Sequence, residues 1–107
     1  MTSQGHPLAV FRRAIEAGNV LVAEATAREL GRIGLGEALE LTALVARHDR
    51  VRGRRVAARW LERWLAETPA PTIDEAAMVV GNLAALGGGS HGTALAALRD
   101  LLRSRRR

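Results

Sequence analysis

Residues Arg47–Glu67 read RHDRVRGRRVAARWLERWLAE and hold seven of the chain's sixteen arginines and both of its tryptophans. From Val56 onward the apolar residues are Val56, Ala57, Trp60, Leu61, Trp64 and Leu65. Steps of three and four draw one stripe along an α-helix, because about 3.6 residues complete a turn. Arg55, Arg59 and Arg63 lie four apart on the opposite side. The stretch therefore reads as a basic connection interrupted by Gly53, leading into an amphipathic helix from about Val51 or Arg54 to Glu67. Its apolar face bears Trp60 and Trp64, and its basic face meets water or a partner.

The same periodicity recurs on both sides of this helix. Before it, Pro7–Ala17 forms a first helix, with proline in the turn where its missing N–H costs nothing. Gly18 stops that helix and Asn19 caps a second, Val20–Arg32. Val20, Ala23, Ala27 and Leu30 make the inward stripe of the second helix, and Glu24 and Arg28 form an i, i+4 pair. A third helix, Gly36–Arg47, is apolar nearly all round and is expected to be central. After the tryptophan helix, Pro69 and Pro71 break the chain. Thr72 and Glu75 then form a capping box that opens a fifth helix running to about Leu86. After Glu75 that helix has Asn82 as its only strongly polar side chain, so it is expected to be buried on most sides or to lie at an interface. A glycine-rich loop, Gly87–Gly92, leads to a sixth helix, about Thr93–Arg103, with Ala94, Leu95, Leu98, Leu101 and Leu102 inward and Arg99 and Arg103 outward.

No segment alternates as a strand would. The fold class expected is all-α: about six short antiparallel helices, as a helical-hairpin stack or a compact bundle, with helix content above about 60 percent against a one-third average. Residues 1–104 form one helical domain, and Arg105–Arg107 a disordered basic tail. With 107 residues and no cysteine, disulfides and thiolate chemistry are excluded, and a core of ordinary size suffices. No apolar run approaches the roughly 18 residues of a membrane span, and MTSQGHP lacks the features of a signal peptide. A cytoplasmic protein is expected, with no membrane association. All sixteen basic residues are arginine. Arginine's planar fork suits phosphate and carboxylate, but a replacement this complete is better explained by a GC-rich genome. The net charge of +5 permits acidic or nucleic-acid partners without requiring them.

AIEAGNVLVAEATAREL, residues 14–30, resembles a helical hairpin of the tetratricopeptide type, with an Ala-x-x-x-Gly close followed by an Ala-rich helix. The family's Trp and Tyr positions are not filled here, and no period of roughly 34 residues recurs. The resemblance implies a hairpin stack, with room for a groove that takes a peptide, and names no partner. The whole chain also resembles small all-helical proteins of GC-rich bacteria, which brings no function with it.

Gly87–Thr93 has the glycine spacing of a phosphate-binding loop, but it lacks the lysine and follows a helix instead of a strand. It reads as a turn. His6, His48 and His91 stand far apart, and none has the i+3 or i+4 partner a metal site favours. Glu37, Glu40, Asp74 and Glu75 sit near helix N-termini, where the dipole accounts for them. A helix-turn-helix fails at both Ala27–Gly31 and Ala77–Gly81, because the buried aliphatic position is Glu37 in one and Gly87 in the other.

No catalytic residue, cofactor or metal ligand is expected. The candidate interaction residues are Arg52, Arg54, Arg55, Arg59, Arg63, Trp60 and Trp64. Tryptophan is enriched at binding hot spots, though Trp60 and Trp64 also suit a core otherwise filled by Ala and Leu. The function expected is a non-catalytic protein-interaction module or small regulatory adaptor. A two-fold homodimer through helix 76–86 would cover the apolar fifth helix. The alternative is a nucleic-acid-binding accessory protein that uses the Arg47–Arg63 cluster.

Overall fold

The computed structural model describes residues 6–105 and contains six helices: α1 Pro7–Ala17, α2 Val20–Leu30, α3 Leu35–His48, α4 Arg50–Glu67, α5 Ile73–Ala85 and α6 His91–Arg105. It is 82% helical, with no strand among the described residues. The strongest pairings join α1 to α2, α3 to α4 and α5 to α6, so the chain is three helical hairpins in succession. Together they form a compact all-α bundle with extents of 49 × 31 × 20 Å.

Local chemistry places the helix ends. His6 caps α1 through Nδ1, which accepts from the Leu8 N–H at 3.2 Å, and Pro7 follows at the first helical position. Gly18 ends α1 in the left-handed region at φ 72°, a conformation glycine adopts without a Cβ clash. Asn19 accepts from the Val22 N–H at 3.1 Å. The capping box of α5 is complete: the Thr72 hydroxyl accepts from the Glu75 N–H, and Glu75 accepts from the Thr72 N–H.

The turn between α3 and α4 is a single residue. The Asp49 N–H donates to Val45 O at 2.8 Å, and its carboxylate accepts from the Arg52 N–H at 3.1 Å. One residue thus closes one helix and opens the next. Helix α4 runs straight through Gly53, where the sequence suggested an interrupted connection. Gly53 is buried, and a Cβ there would lie 2.5 Å from Ala46 Cα and 2.8 Å from Ala46 Cβ. Glycine at this point lets the backbones of α3 and α4 touch, which outweighs its poor helix propensity.

α3 is central, as its nearly all-round apolar pattern requires, and it packs against α1, α2, α4 and α6. The main core lies in α3–α6 around Leu39, Trp60, Trp64, Val79, Leu86 and Leu98. Trp60 and Trp64 are 3% and 1% exposed, and Trp60 Nε1 donates to Leu35 O at 3.0 Å. At this burial they are core residues, packed in one cluster with Ala, Leu and Val79 side chains, and present no exposed anchor to a partner. A second, smaller cluster joins Phe11, Ala14 and Ala23 of the α1–α2 hairpin to Leu44 of α3.

Arg105, expected to begin a loose tail, is the last residue of α6. Its guanidinium donates to Glu75 at 2.5 and 3.0 Å and to the Pro69 carbonyl at 3.0 Å. It clasps the α4–α5 connection, where Ala70 sits at φ 47°. Arg106 and Arg107 lie outside the described residues.

Candidate interaction surface

Helix α5 is not buried on most sides within the chain. Val79 and Leu83 are its only buried residues. Val80 is 48% exposed and Ile73 87%, and Ala77, Gly81 and Ala84 are exposed as well. One side of α5 meets α6 and the core. The other looks across an open groove toward α4.

This groove has a volume of ≈ 390 Å³. Ala46, Gly53 and Ala57 form its floor. Arg54, Ala58 and Leu61 line the α4 side, and Val80, Leu83 and Ala84 the α5 side. Arg50 and Gly87 close one end. It exists because the facing residues are small. Ala58 and Ala84 stop short of one another, whereas two larger side chains would interdigitate and fill the space as protein interiors do. Exposed apolar surface of this kind stays hydrated at a cost of about 25 cal/mol per Å² until something covers it.

The arginines divide into two groups. Arg52 donates to Glu24 of α2 at 2.5 Å, an ion pair that raises its pKa, chiefly through that hydrogen bond. Glu24 therefore turns to another helix, away from Arg28, the i, i+4 partner expected for it. Arg63 donates to Glu67 at 2.6 Å, the expected i, i+4 contact, and Arg32 joins the same carboxylate. The Arg63 hydrogen bond is the main cause that holds the Glu67 pKa low. Arg99 clamps Glu40 of α3 with two hydrogen bonds of 2.6 and 2.7 Å. Arg52 and Arg63, both candidate interaction residues, are thus tied up within the fold. By contrast, Arg47, Arg50, Arg54, Arg55 and Arg59 have no carboxylate partner among the described residues. Arg54, Arg55 and Arg59 are exposed on α4.

The histidines are used locally. His6 caps α1. His48 Nδ1 lies 3.0 Å from Leu44 O, and His91 Nδ1 lies 2.6 Å from Leu86 O. Among the described residues no three His, Asp or Glu side chains converge as metal ligands, and no helix is long and apolar enough to cross a membrane. Glu37 and Glu40 reach out to Arg12 and Arg99, and Glu75 to Arg105.

Of the candidate residues, Arg54 alone lines the α4–α5 groove; Arg55 and Arg59 sit on the neighbouring basic face with Arg52, Val56 and Ala58. Sequence reasoning missed Arg50, Gly53, Ala58, Ala84 and Gly87. The available signal was the all-apolar α5 combined with unfilled small positions on α4. No protein-family model, no curated protein and no solved structure matches this chain.

Proposed function

We propose that the protein is a non-catalytic helical interaction module, a small adaptor that holds a partner protein in the α4–α5 groove. The observation that carries this reading is the groove itself: a largely apolar trough of ≈ 390 Å³, open to solvent, beside the close approach of α3 and α4 at Gly53. Grooves between helices are a common seat for an amphipathic segment, whose apolar side chains enter in steps of three and four.

The test is selection from a displayed library of helical peptides. The full chain is the target, and Ala84→Arg serves for counter-selection. Ala84 is exposed, so the substitution blocks the groove and spares the core. Enriched sequences that share an apolar stripe and lose binding to Ala84→Arg are expected. Absence of enrichment, or indifference to the block, would count against the module.

One observation favours a second reading, a nucleic-acid-binding accessory role: Arg54, Arg55 and Arg59 are exposed and lack carboxylate partners among the described residues. Each phosphate contact would contribute about −0.9 to the log–log salt slope on duplex DNA. Fluorescence anisotropy decides between the two. Binding that survives replacement of Arg106 and Arg107 and disappears when Arg54, Arg55 and Arg59 are neutralised supports this role; undetectable binding near physiological salt supports the module.

A further inference from the structure

We infer that the occupant of the α4–α5 groove is an amphipathic helix of a partner protein that carries carboxylates at one end, read by Arg50 and Arg54. The inference rests on the interaction-module reading and adds the chemistry of the partner.

The helical form follows from hydrogen bonding. The groove walls are helices whose backbone groups are already paired, and they offer no strand edge. A peptide laid into an apolar trough must therefore satisfy its own N–H and C=O groups, and a helix does so internally. The dimensions agree. Arg50 to Leu61 spans about 16 Å along α4 at about 1.5 Å per residue, the length of three helical turns.

The acidic end follows from the arginines. Arg50 and Arg54 are one turn apart on α4, both line the groove, and neither has a carboxylate partner among the described residues. Arg50 is positioned by packing: a Cβ on Gly87 would lie 3.6 Å from both its Cγ and its Nε, so its stem lies across Gly87 at the closed end. The rest of the trough is aliphatic. A helix with carboxylates at that end and leucine-like side chains beyond it complements both parts.

Other occupants fit less well. A polyanion could use the arginines but would leave the aliphatic trough empty, and the lining contains no aromatic ring on which a base could stack. A second copy related by a two-fold axis would bring the same patch against itself. Two troughs face to face enclose a void, and the contact would set one arginine-rich helix close to another.

The experiment uses the full chain and a labelled, end-blocked helical peptide of about 18 residues. The probe has leucines in steps of three and four and three glutamates at one end. Two control probes carry glutamine, its neutral isostere, or lysine, a charge reversal, in place of glutamate. Anisotropy gives affinity, and amide shifts at Gly53, Ala58, Val80 and Gly87 locate the site. The glutamate probe is expected to bind at least about tenfold more tightly than the glutamine probe, a ratio equivalent to about 1.4 kcal/mol. The double variant Arg50→Glu/Arg54→Glu should lose the glutamate probe and gain the lysine probe. Ala84→Arg should lose all three, and Ala58→Arg, also at an exposed residue, provides a second block. Circular dichroism confirms folding of each variant.

Equal binding of the glutamate and glutamine probes at the groove, unchanged by the arginine reversal, would overturn the acidic partner and leave the module standing. No probe binding, together with a dimer by light scattering that Ala84→Arg disperses, would make the second copy the occupant and overturn the inference. No probe binding and no dimer would overturn both the inference and the module.

Discussion

The α1–α2 hairpin and the α3–α6 body use much the same amino acids and hold together by different means. The body gathers thirteen buried residues into one cluster, including both tryptophans and the six leucines Leu39, Leu83, Leu86, Leu95, Leu98 and Leu101. The hairpin contributes Phe11, Ala14 and Ala23 to a cluster of four that Leu44 of α3 completes. Its helix packing reaches the body only through α3. Beyond that it is tethered by the ion pairs Arg12–Glu37, at 3.4 Å, and Arg52–Glu24. Apolar burial scales with area and does not depend on salt, whereas exposed ion pairs contribute little and are screened. The body should therefore behave as the stable scaffold that holds the groove open, and the hairpin as a docked, more easily opened unit.

The largest expected effect is from Trp64→Ala. Trp64 is 1% exposed at the centre of the body, and truncation of a buried aromatic costs about 3–5 kcal/mol. Chemical denaturation should show a global loss of stability or failure to fold. Gly53→Ala sharpens the same point through a competition of signs. Alanine should gain about 1 kcal/mol in helix propensity. The new methyl, however, would sit 2.5 Å from a backbone atom of α3, and overpacking costs about 1–3 kcal/mol or more. Because backbone cannot swing away as a side chain can, net destabilisation of the whole body is expected.

Phe11→Ala removes as large a fraction of the small cluster, yet its effect should stay local. The hairpin should lose protection and become protease-sensitive while the midpoint for α3–α6 moves little. If both midpoints fall together, the two regions are one cooperative unit and the contrast between them fails.

What could be read from the sequence divides along similar lines. Pro7, Gly18, Asn19 and the Thr72–Glu75 box act on their own helix ends, so their roles were visible in a window of a few residues. The inward stripe of α4 was equally clear. In sequence Gly53 reads as an interruption, because its reason for being there, Ala46, is on another helix. In sequence Glu24 pairs with Arg28, because the competing arginine, Arg52, is 28 residues away and becomes a neighbour only when the hairpin docks. The groove could not be read at all in one helix: Ala58 and Ala84 are unremarkable separately and define a trough only when α4 and α5 face each other. Arg105 reads as tail because its partners, Glu75 in the first turn of α5 and Pro69 in the preceding connection, are brought to it only when α6 folds back.

Smaller effects should follow from the charges. Arg52→Ala should weaken hairpin docking at low ionic strength, and added salt should reduce the difference from the parent chain. Hydrogen exchange in α2 at two salt concentrations checks this. The body has its own acid sensitivity. Arg105 is the main cause that holds the Glu75 pKa low, and Arg63 does the same for Glu67. Both folded values lie below the unfolded one, so these contacts stabilise fully above the ordinary glutamate value of 4.5 and are lost as pH falls from there through the lowered values. Thermal unfolding followed from neutral to acid pH should show the decline in that window, and Arg105→Ala should shrink it.

The most direct test of the two-region architecture is native-state hydrogen exchange on the unmodified chain, read residue by residue under increasing denaturant. Amides in the middle of α3, α4 and α6 should exchange only through global unfolding, with the full denaturant dependence. Those of α1 and α2 should exchange through a separate opening, at lower free energy and with a shallower slope. A single free energy and a single slope shared by α1, α2 and the body would contradict the division into scaffold and docked hairpin.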